Sequence, residues 1–243
     1  MSESRSASSA PISAAYTRLL QRLRAVAQEG GAIDAVELLA VGKTRPAQDL
    51  LTLAALGQRA FGENYVQEAR EKQLVLADLA PDLQLEWHLI GHLQSNKCRD
   101  VALGFDWVQT LDRAKLIHAL ARYRSASMPP LNVLIQVNID DEASKSGCPP
   151  GAIDALADAI VAEPRLVLRG LMASPAPDPD MARRRNAFRR MRGLFDALRT
   201  RHPRVDTLSM GMSEDFELAI AEGATMVRVG SALFGERGKS DLS

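Results

Sequence analysis

The chain has 243 residues, of which 46% are hydrophobic and 25% are charged, and its 30 basic residues balance 30 acidic ones. This is ordinary globular composition, and the neutral balance excludes net charge as a means of attracting nucleic acid or an anionic membrane. No stretch approaches the roughly 18 apolar residues of a membrane span, and the N-terminus lacks the apolar segment of a secretory signal. Cys98 and Cys148 fit no metal-binding spacing. They could form one disulfide, but we expect two reduced thiols in a cytoplasmic protein.

The predicted elements begin after a Ser-rich segment, residues 1–10, which we interpret as a disordered tail. Residues 12–28 carry apolar side chains at helical spacing and predict a first helix. Residues 238–243 are interpreted as a second, solvated tail. Between these ends, eight short apolar strands alternate with longer amphipathic segments, at 36–42, 59–63, 85–90, 105–109, 131–137, 165–172, 205–209 and 225–229.

Strict alternation of strand and helix predicts a parallel sheet, because parallel neighbours need a crossover connection. Eight such units fit a closed (β/α)8 barrel, whose usual size is about 250 residues. An open doubly wound sheet is the alternative, but no G-x-G-x-x-G fingerprint follows the first strand. We therefore predict the α/β class, as a single (β/α)8 TIM barrel over residues 11–237 with an extra N-terminal helix.

The segment 183–204 is unusually basic, with nine arginines and one acidic residue, Asp196. One interpretation is a surface that binds anions, nucleic acid or a partner protein. The other is a helix whose arginines are solvated while an apolar stripe packs inward. We favour the helix, and we expect no nucleic acid among the partners. The predicted stripe consists of Phe188, Met191, Phe195 and Leu198.

In a (β/α)8 barrel, ligands bind at the carboxyl ends of the strands, and a phosphate site recurs after the last two strands. Gly211 and Gly230 follow strands 7 and 8 here, and glycine lets backbone N–H groups approach an anion closely. A helix beginning near Ser231 would direct the positive end of its dipole at the same place. The hydroxyl donors in these two segments are Ser209, Ser213 and Ser231.

Lys43 lies at the carboxyl end of the first predicted strand, in the stretch "VELLAVGKTRP". Such a lysine can extend to the surface, form an ion pair or serve as a reactive amine. Desolvation lowers the pKa of a lysine from roughly 10.4, which frees the amine to attack an aldehyde or ketone. A reactive lysine facing a phosphate site suits pyridoxal phosphate (PLP), which carries both an aldehyde and a phosphate.

Six stretches in chain order resemble the PLP homeostasis protein family: "AVGKTRP", "FGENYVQEA", "WHLIGHLQSNK", "VNIDDEASKSG", "GLMA" and "LSMGMSEDFELAIAEGATMVRVGSALFGER". They run from about Val36 to Arg237. The family is similar to the barrel domain of alanine racemase, but as a single domain without the second one. The resemblance therefore implies an alanine racemase-like barrel and a role in intracellular PLP storage, buffering or delivery.

The resemblance also implies roles for single residues. Lys43 would form the internal aldimine with PLP, and Arg228 would face the pyridine nitrogen. Lys145 matches a family position in a loop near the cofactor. The segment "GLMASPAPDPD" departs from the family at Ser174, where we expect an aliphatic residue, and we predict an effect on local loop shape only. The remaining implied contacts are Ser209, Ser213, Gly230 and Ser231 at the phosphate, and Asn64 and Met210 at the ring.

The choice of arginine at position 228 bears on catalysis. Arginine is always charged and only donates hydrogen bonds, so it favours an unprotonated ring nitrogen and makes PLP a poor electron sink. This limits side reactions such as transamination and suits either a racemase or a PLP store. A racemase also needs a second base, which is a tyrosine of the partner subunit in alanine racemase-like enzymes. Only Tyr65 falls near the strand ends, and we expect it to pack. We therefore predict a monomeric PLP carrier that supplies PLP-dependent apoenzymes, with no robust catalysis.

Three alternatives stay open. The chain could be a weak amino-acid racemase, a lysine-dependent aldolase that holds a sugar phosphate, or a binding module that uses the arginine-rich helix. We expect no metal site, because His88 and His92 flank a strand end and no third ligand has an evident place.

Overall fold

The computed structural model describes residues 3–29, 36–140, 146–175 and 179–235, without the side chains of residues 3–9 and 29. Lys145 lies outside the described residues, as does the predicted tail 238–243. The first helix begins at Glu3, whereas we predicted a disordered tail over residues 1–10. Residues 3–10 contain no glycine or proline, and serine and alanine are compatible with a helix. The extent of the barrel, 11–237, stays a prediction.

Eight parallel strands form a closed barrel in chain order, and β1 pairs with β8 to complete it. This confirms the predicted (β/α)8 fold and all eight predicted strands. The fourth strand is shifted two residues toward the C-terminus of its predicted range. The strands are β1 (Glu37–Val41), β2 (Ala60–Glu63), β3 (Glu86–Leu89), β4 (Trp107–Leu111), β5 (Leu131–Gln136), β6 (Leu166–Met172), β7 (Thr207–Ser209) and β8 (Met226–Val229).

Helices surround the barrel, and the extra N-terminal helix α1 packs against the helices next to the β8–β1 seam. Its residues Ile12, Tyr16, Leu19 and Leu23 are buried, as the helical spacing predicted. The α-helices are α1 (Glu3–Glu29), α2 (Ala47–Ala55), α3 (Val66–Leu79), α4 (Cys98–Gly104), α5 (Ala114–Tyr123), α6 (Ile153–Val161), α7 (Met181–Arg201), α8 (Phe216–Ala221) and α9 (Ser231–Phe234).

Alternation along each strand divides the core into two layers. Residues such as Phe61 and Leu208 belong to the large apolar layer that includes the buried helix faces. Small separate clusters form from other strand residues, one around Leu39 and Met226 and another around Trp107. We assign these small clusters to the barrel interior. The barrel interior thus contains odd-numbered residues of β1, such as Leu39, and even-numbered residues of β8, such as Met226.

The arginine-rich segment forms α7, and its predicted stripe is buried, which confirms the favoured interpretation. Several of its arginines make ion pairs at the surface, for example Arg189 with Glu222 and Arg192 with Asp196. Both cysteines are unpaired thiols and both are buried. Within the described ranges, no helix is both long and apolar enough to cross a membrane.

Candidate functional site

A cavity of about 520 Å³ opens at the carboxyl ends of the strands. This volume falls within the range of small-molecule sites. The cavity wall combines segments that follow β1, β2, β6, β7 and β8, as expected for this fold. Six residues predicted from the sequence line it together: Lys43, Asn64, Ser213, Arg228, Gly230 and Ser231.

Lys43 faces the cavity because it lies two residues beyond the end of β1. Leu39 belongs to a small cluster of the barrel interior, and the alternation of a strand places Val41 and Lys43 on the same side. Val41 and Lys43 both line the cavity, and the Lys43 side chain is half-buried. A turn over residues 42–45 ends the extended segment, and Pro46 then stands at the N-cap of α2. The predicted strand-end amine is therefore at the mouth of the barrel.

Arg228 forms part of the cavity wall from within β8, and its guanidinium is buried and anchored by three hydrogen bonds. Nη1 donates to Ser209 Oγ at 2.8 Å, and Nη2 donates to Ala173 O and Ser174 Oγ, each at 2.8 Å. Within the described residues these bonds use three of the five N–H donors of an arginine. Burial lowers the pKa of Arg228 to about 10, against an opposing effect of Asp215, so the group stays charged at neutral pH.

Ser174 has a larger part in this site than we predicted. We expected its departure from the family pattern to affect only the shape of the loop. Its hydroxyl instead accepts a hydrogen bond from Arg228, and the residue lines the cavity. The sequence did not show this contact, because the two residues are 54 positions apart and lie on different strand ends.

Ser209 lies beneath the cavity rather than in its wall. Its side chain is fully buried, donates to Gln109 Oε1 at 2.7 Å and accepts from Arg228. The expected contact of this hydroxyl with a phosphate therefore does not fit its position. The reason is its place on β7: the side chain points into the barrel, one step below the residues that line the cavity.

A directed chain of hydrogen bonds continues from Ser209 to the opposite end of the barrel. Gln109 Nε2 donates to His88 Nδ1 at 3.0 Å, which leaves the proton on Nε2 to donate to Glu86 Oε1 at 2.8 Å. Burial lowers the pKa of His88, so the ring is neutral. Burial alone would raise the pKa of Glu86, but His88, Trp107 and Arg169 together outweigh it and the pKa is lowered. The chain links a guanidinium to a carboxylate through the barrel interior.

Met210 was expected beside the cofactor ring, but its side chain is not part of the described cavity wall. The side chain is fully buried in the apolar layer that includes the helices, and it does not line the cavity. The physical reason is the alternation of a strand: Ser209 points into the barrel, so the next residue points outward. Counting along the strand from Ser209 predicts this outward direction.

The expected phosphate side of the cavity contains Ser213, Gly230 and Ser231. The backbone N–H of Ala232 donates to Ser213 Oγ at 3.4 Å, which joins the segment after β7 to the start of α9. The helix α9 has only four residues, so the predicted contribution of a helix dipole is small. Donors at this rim therefore come from single hydroxyl and backbone groups, not from a long helix.

No tyrosine lines the part of the cavity that the structure describes. Tyr65 is 60% exposed at the N-cap of α3, so it does not pack as we expected. Tyr16 is buried against Gln58, and Tyr123 lies on α5. The second base of a racemase thus has no tyrosine candidate here.

His88 belongs to a cluster that we did not consider when we weighed a metal site. Possible ligand atoms of Glu37, Glu86 and His88 lie within 4.8 Å of one another at the N-terminal end of the barrel. Both ring nitrogens of His88 already have hydrogen-bond partners. Hydrogen bonding therefore accounts for the position of this histidine.

Sequence reasoning also missed a buried ionic cluster next to the Lys43 turn. Lys72 of α3 donates to Glu63, to Glu68 and to the carbonyl of Gly42. Burial raises the pKa of Glu63 to about 7, against the opposing effect of Lys72. A lysine inside a polar helix segment gives no sequence signal for such burial.

The fold and the cavity define the class of protein: a TIM barrel with a cavity at the carboxyl ends of its strands, lined by Lys43 and by three arginines, of which Arg228 belongs to a strand. A family model described as alanine racemase, N-terminal domain, matches residues 14–238. A protein from Escherichia coli K12 named pyridoxal phosphate homeostasis protein is 51% identical over 208 residues, which cover 86% of this chain and 88% of that protein. Its namesake from Pseudomonas aeruginosa PAO1 is 51% identical over 221 residues, 90% of this chain and 93% of its own.

Solved structures agree with these matches. PipY of Synechococcus elongatus PCC7942 with PLP bound is 35% identical, with a TM-score of 0.75, over 88% of this chain and 99% of that one. Alanine racemase from Corynebacterium glutamicum shares the fold, at 20% identity and a TM-score of 0.63, over 92% of this chain and 62% of the racemase. The chain belongs to the pyridoxal phosphate homeostasis protein family, within the proteins that share the alanine racemase N-terminal domain.

Proposed function

We propose that this protein binds PLP in the cavity at the carboxyl ends of its strands and acts in PLP homeostasis. One observation carries the proposal: a half-buried lysine and a buried arginine line one cavity together with a rim of serine hydroxyls and a glycine. The aldehyde of PLP needs an amine. Its ring nitrogen needs a hydrogen-bond donor, and its phosphate needs several small hydrogen-bond donors. Relatives with the same family name and the PLP-bound PipY structure support this assignment.

The residues present fit PLP. The ε-amine of Lys43 would condense with the aldehyde carbon of PLP and release one water. The bond formed in this way would hold the cofactor covalently. Ser213, Gly230 and Ser231 would bind the phosphate, and Asn64 would lie beside the ring. Ser209 would act through Arg228 and not by direct contact. When bound, PLP supplies an electron sink for amino-group chemistry.

Arg228 makes this site suited to storing PLP or to racemisation, and unsuited to side reactions such as transamination. The guanidinium stays charged at neutral pH and can only donate, so a ring nitrogen that faces it must accept and stays unprotonated. The electron-withdrawing power of the ring is then low. The absence of a tyrosine from the described cavity wall also removes the usual second base for racemisation.

We infer from this that the protein stores PLP or delivers it to PLP-dependent apoenzymes as a monomer. Sedimentation of the purified protein checks the monomer. Transfer is checked by mixing the PLP-loaded protein with an apoenzyme and following the enzyme activity that returns. If the enzyme regained activity no faster than with the same amount of free PLP, the result would contradict delivery.

The direct test of the site uses PLP, sodium borohydride and mass spectrometry. Borohydride fixes an imine as a stable pyridoxyl group, so we expect this group on the peptide that contains Lys43. Lys43→Ala is expected to abolish the visible absorption band and the modified peptide. Lys115→Ala is the matched control, since Lys115 is exposed on α5 and does not line the cavity. A modified peptide elsewhere, or a band that survives Lys43→Ala, would contradict the proposal.

A weak racemase is the second candidate, favoured only by the shared alanine racemase fold. Exchange of the α-proton of an amino acid in heavy water separates it from a carrier. We expect no exchange above that of free PLP, and steady turnover would reject the carrier.

A further inference from the structure

The turn that carries Lys43 contains an unfavourable backbone conformation. Arg45 N–H donates to Gly42 O at 3.0 Å, so residues 42–45 form a β-turn with Lys43 and Thr44 at its centre. Thr44 has a φ of 63°, in the left-handed region. Glycine or asparagine normally occupies such a position, because a β-branched side chain is strained there. The surroundings must therefore hold the turn in place.

Two side chains of α3 hold this turn, one on each side of Lys43. Glu68 Oε1 accepts the backbone N–H of Thr44 at 2.6 Å. Lys72 Nζ donates to the Gly42 carbonyl at 2.6 Å and to Glu68 Oε1 at 2.7 Å. The two residues are four positions apart on one helix, so they reach the turn together. Each bond to the backbone has one charged partner, and such bonds are stronger than neutral ones.

Glu63, the last residue of β2, fixes the position of Lys72. Its Oε1 accepts from Lys72 Nζ at 2.8 Å, and the two side chains are 0% and 6% exposed. Lys72 thus has three acceptors, which is the capacity of an ammonium group. Gly42 permits this approach, because a methyl group there would lie 2.6 Å from Glu63 Oε1.

We propose that Glu68 and Lys72 are positioning residues for Lys43: from α3 they hold the turn 42–45 and keep the Lys43 amine directed into the cavity. The inference rests on the proposed function, since it takes Lys43 as the residue that captures PLP. Alternation along β1 sets the side on which Lys43 emerges. Without the two contacts, Thr44 relaxes toward negative φ and the peptide of Lys43 rotates.

The first test removes the contacts of Glu68 with Thr44 and Lys72 and leaves the buried ion pair between Glu63 and Lys72 intact. Glu68→Ala is expected to slow the covalent capture of PLP about tenfold, the loss of one charge-assisted hydrogen bond. Affinity for pyridoxine 5′-phosphate, which lacks the aldehyde, is expected to be unchanged, because Glu68 does not line the cavity. The capture rate is read from the visible band after PLP is added to the apoprotein, and Lys115→Ala is the matched control.

The second test asks whether the effect passes through the turn. Adding Thr44→Gly to Glu68→Ala is expected to restore capture, because glycine adopts a positive φ without strain. Loss of general stability would not be rescued by this change. The double variant Glu63→Gln, Lys72→Met leaves no unpaired buried charge and is also expected to slow capture, with thermal unfolding measured alongside.

The outcomes separate the positioning role of Glu68 and Lys72 from the proposed function. Capture at the unmodified rate in Glu68→Ala, or slow capture that Thr44→Gly fails to rescue, would overturn the positioning role while the proposed function stands. Equal losses of PLP capture and of pyridoxine 5′-phosphate affinity would also overturn it. An unmodified chain that captures no PLP would reject the proposed function and this inference with it.

Discussion

Arg169 at the N-terminal end of the barrel and Arg228 toward the C-terminal end are both anchored by neighbours, but only one of them meets a cavity. Arg169 donates twice to Asp206, donates to Asn132 and stacks over Trp107 at 4.6 Å. Trp107 in turn stacks on His88 at 5.0 Å. Arg228 is fixed by neutral acceptors and lines the cavity, so its charge has no carboxylate in direct contact among the described residues.

The difference shows how one barrel serves two purposes. At the N-terminal end, the charge of Arg169 is paired with Asp206 and stacked over Trp107. At the C-terminal end, an amine and a guanidinium remain directed toward a cavity that can hold an anion. The first arrangement stabilises the fold, and the second keeps positive charge available for a ligand.

Trp107→Ala gives the largest effect and tests whether the N-terminal end serves stability alone. The variant loses both ring contacts, and we expect it to lower the free energy of unfolding by about 3–5 kcal/mol. Capture of PLP by the folded protein is expected to stay unchanged. Urea unfolding and the borohydride assay measure the two quantities, and Trp107→Leu is the milder variant. A parallel loss of capture would break the distinction between the two ends.

Gly91→Ala perturbs the other end. A methyl group at this position would overlap the backbone carbonyl of Asn64, which is part of the cavity wall. We expect a loss of about 1–3 kcal/mol in stability together with weaker binding of PLP. Gly193→Ala is the control, because the added methyl meets nothing within 4 Å and alanine favours α7 by roughly 1 kcal/mol. Unchanged PLP affinity in Gly91→Ala would show that Asn64 is not needed.

The raised pKa of Glu63, at the C-terminal end of the barrel, predicts that the stability of the protein depends on pH. Its pKa rises from 4.5 to about 7 on folding, first because of burial. Between these pH values the folded state holds a proton that the unfolded state has lost, so this group's contribution to stability is full below 4.5 and lost as pH rises through 7. Urea titrations from pH 5 to 8 are expected to show a steeper decline for the unmodified protein than for Glu63→Gln. Equal slopes would contradict the assignment.

Cys148 gives the smallest effect and probes how open the C-terminal end is. Burial, with Asp112 adding to it, raises the pKa of this thiol from 9.0 to about 11. We therefore expect alkylation at pH 8 to be about a hundredfold slower than for a thiol of ordinary pKa. Iodoacetamide labelling with peptide mapping measures the rate, and urea-unfolded protein provides the reference. Rapid labelling of the native protein would show a more open rim than the structure has.

Much of the fold and part of the site could be predicted without coordinates. Apolar runs that alternate with amphipathic segments are local, and they located all eight strands. Strand ends meet at one mouth of a barrel, so Lys43 and Arg228 could be placed at one site from their positions alone. The strand-end lysine and the predicted phosphate site suited PLP, and family resemblance made that choice of cofactor specific.

The sequence by itself determined the strands, the helices and the residues available at each strand end, because these depend on neighbours close in the chain. Tertiary structure alone decided which of them meet. Lys72 reaches the carbonyl of Gly42 across 30 positions, and Ser209 contacts Gln109 across 100. The inward or outward direction of Met210 and the closure of the N-terminal end depend likewise on how the strands associate. Such partners follow from register and helix packing, which the order of residues does not display.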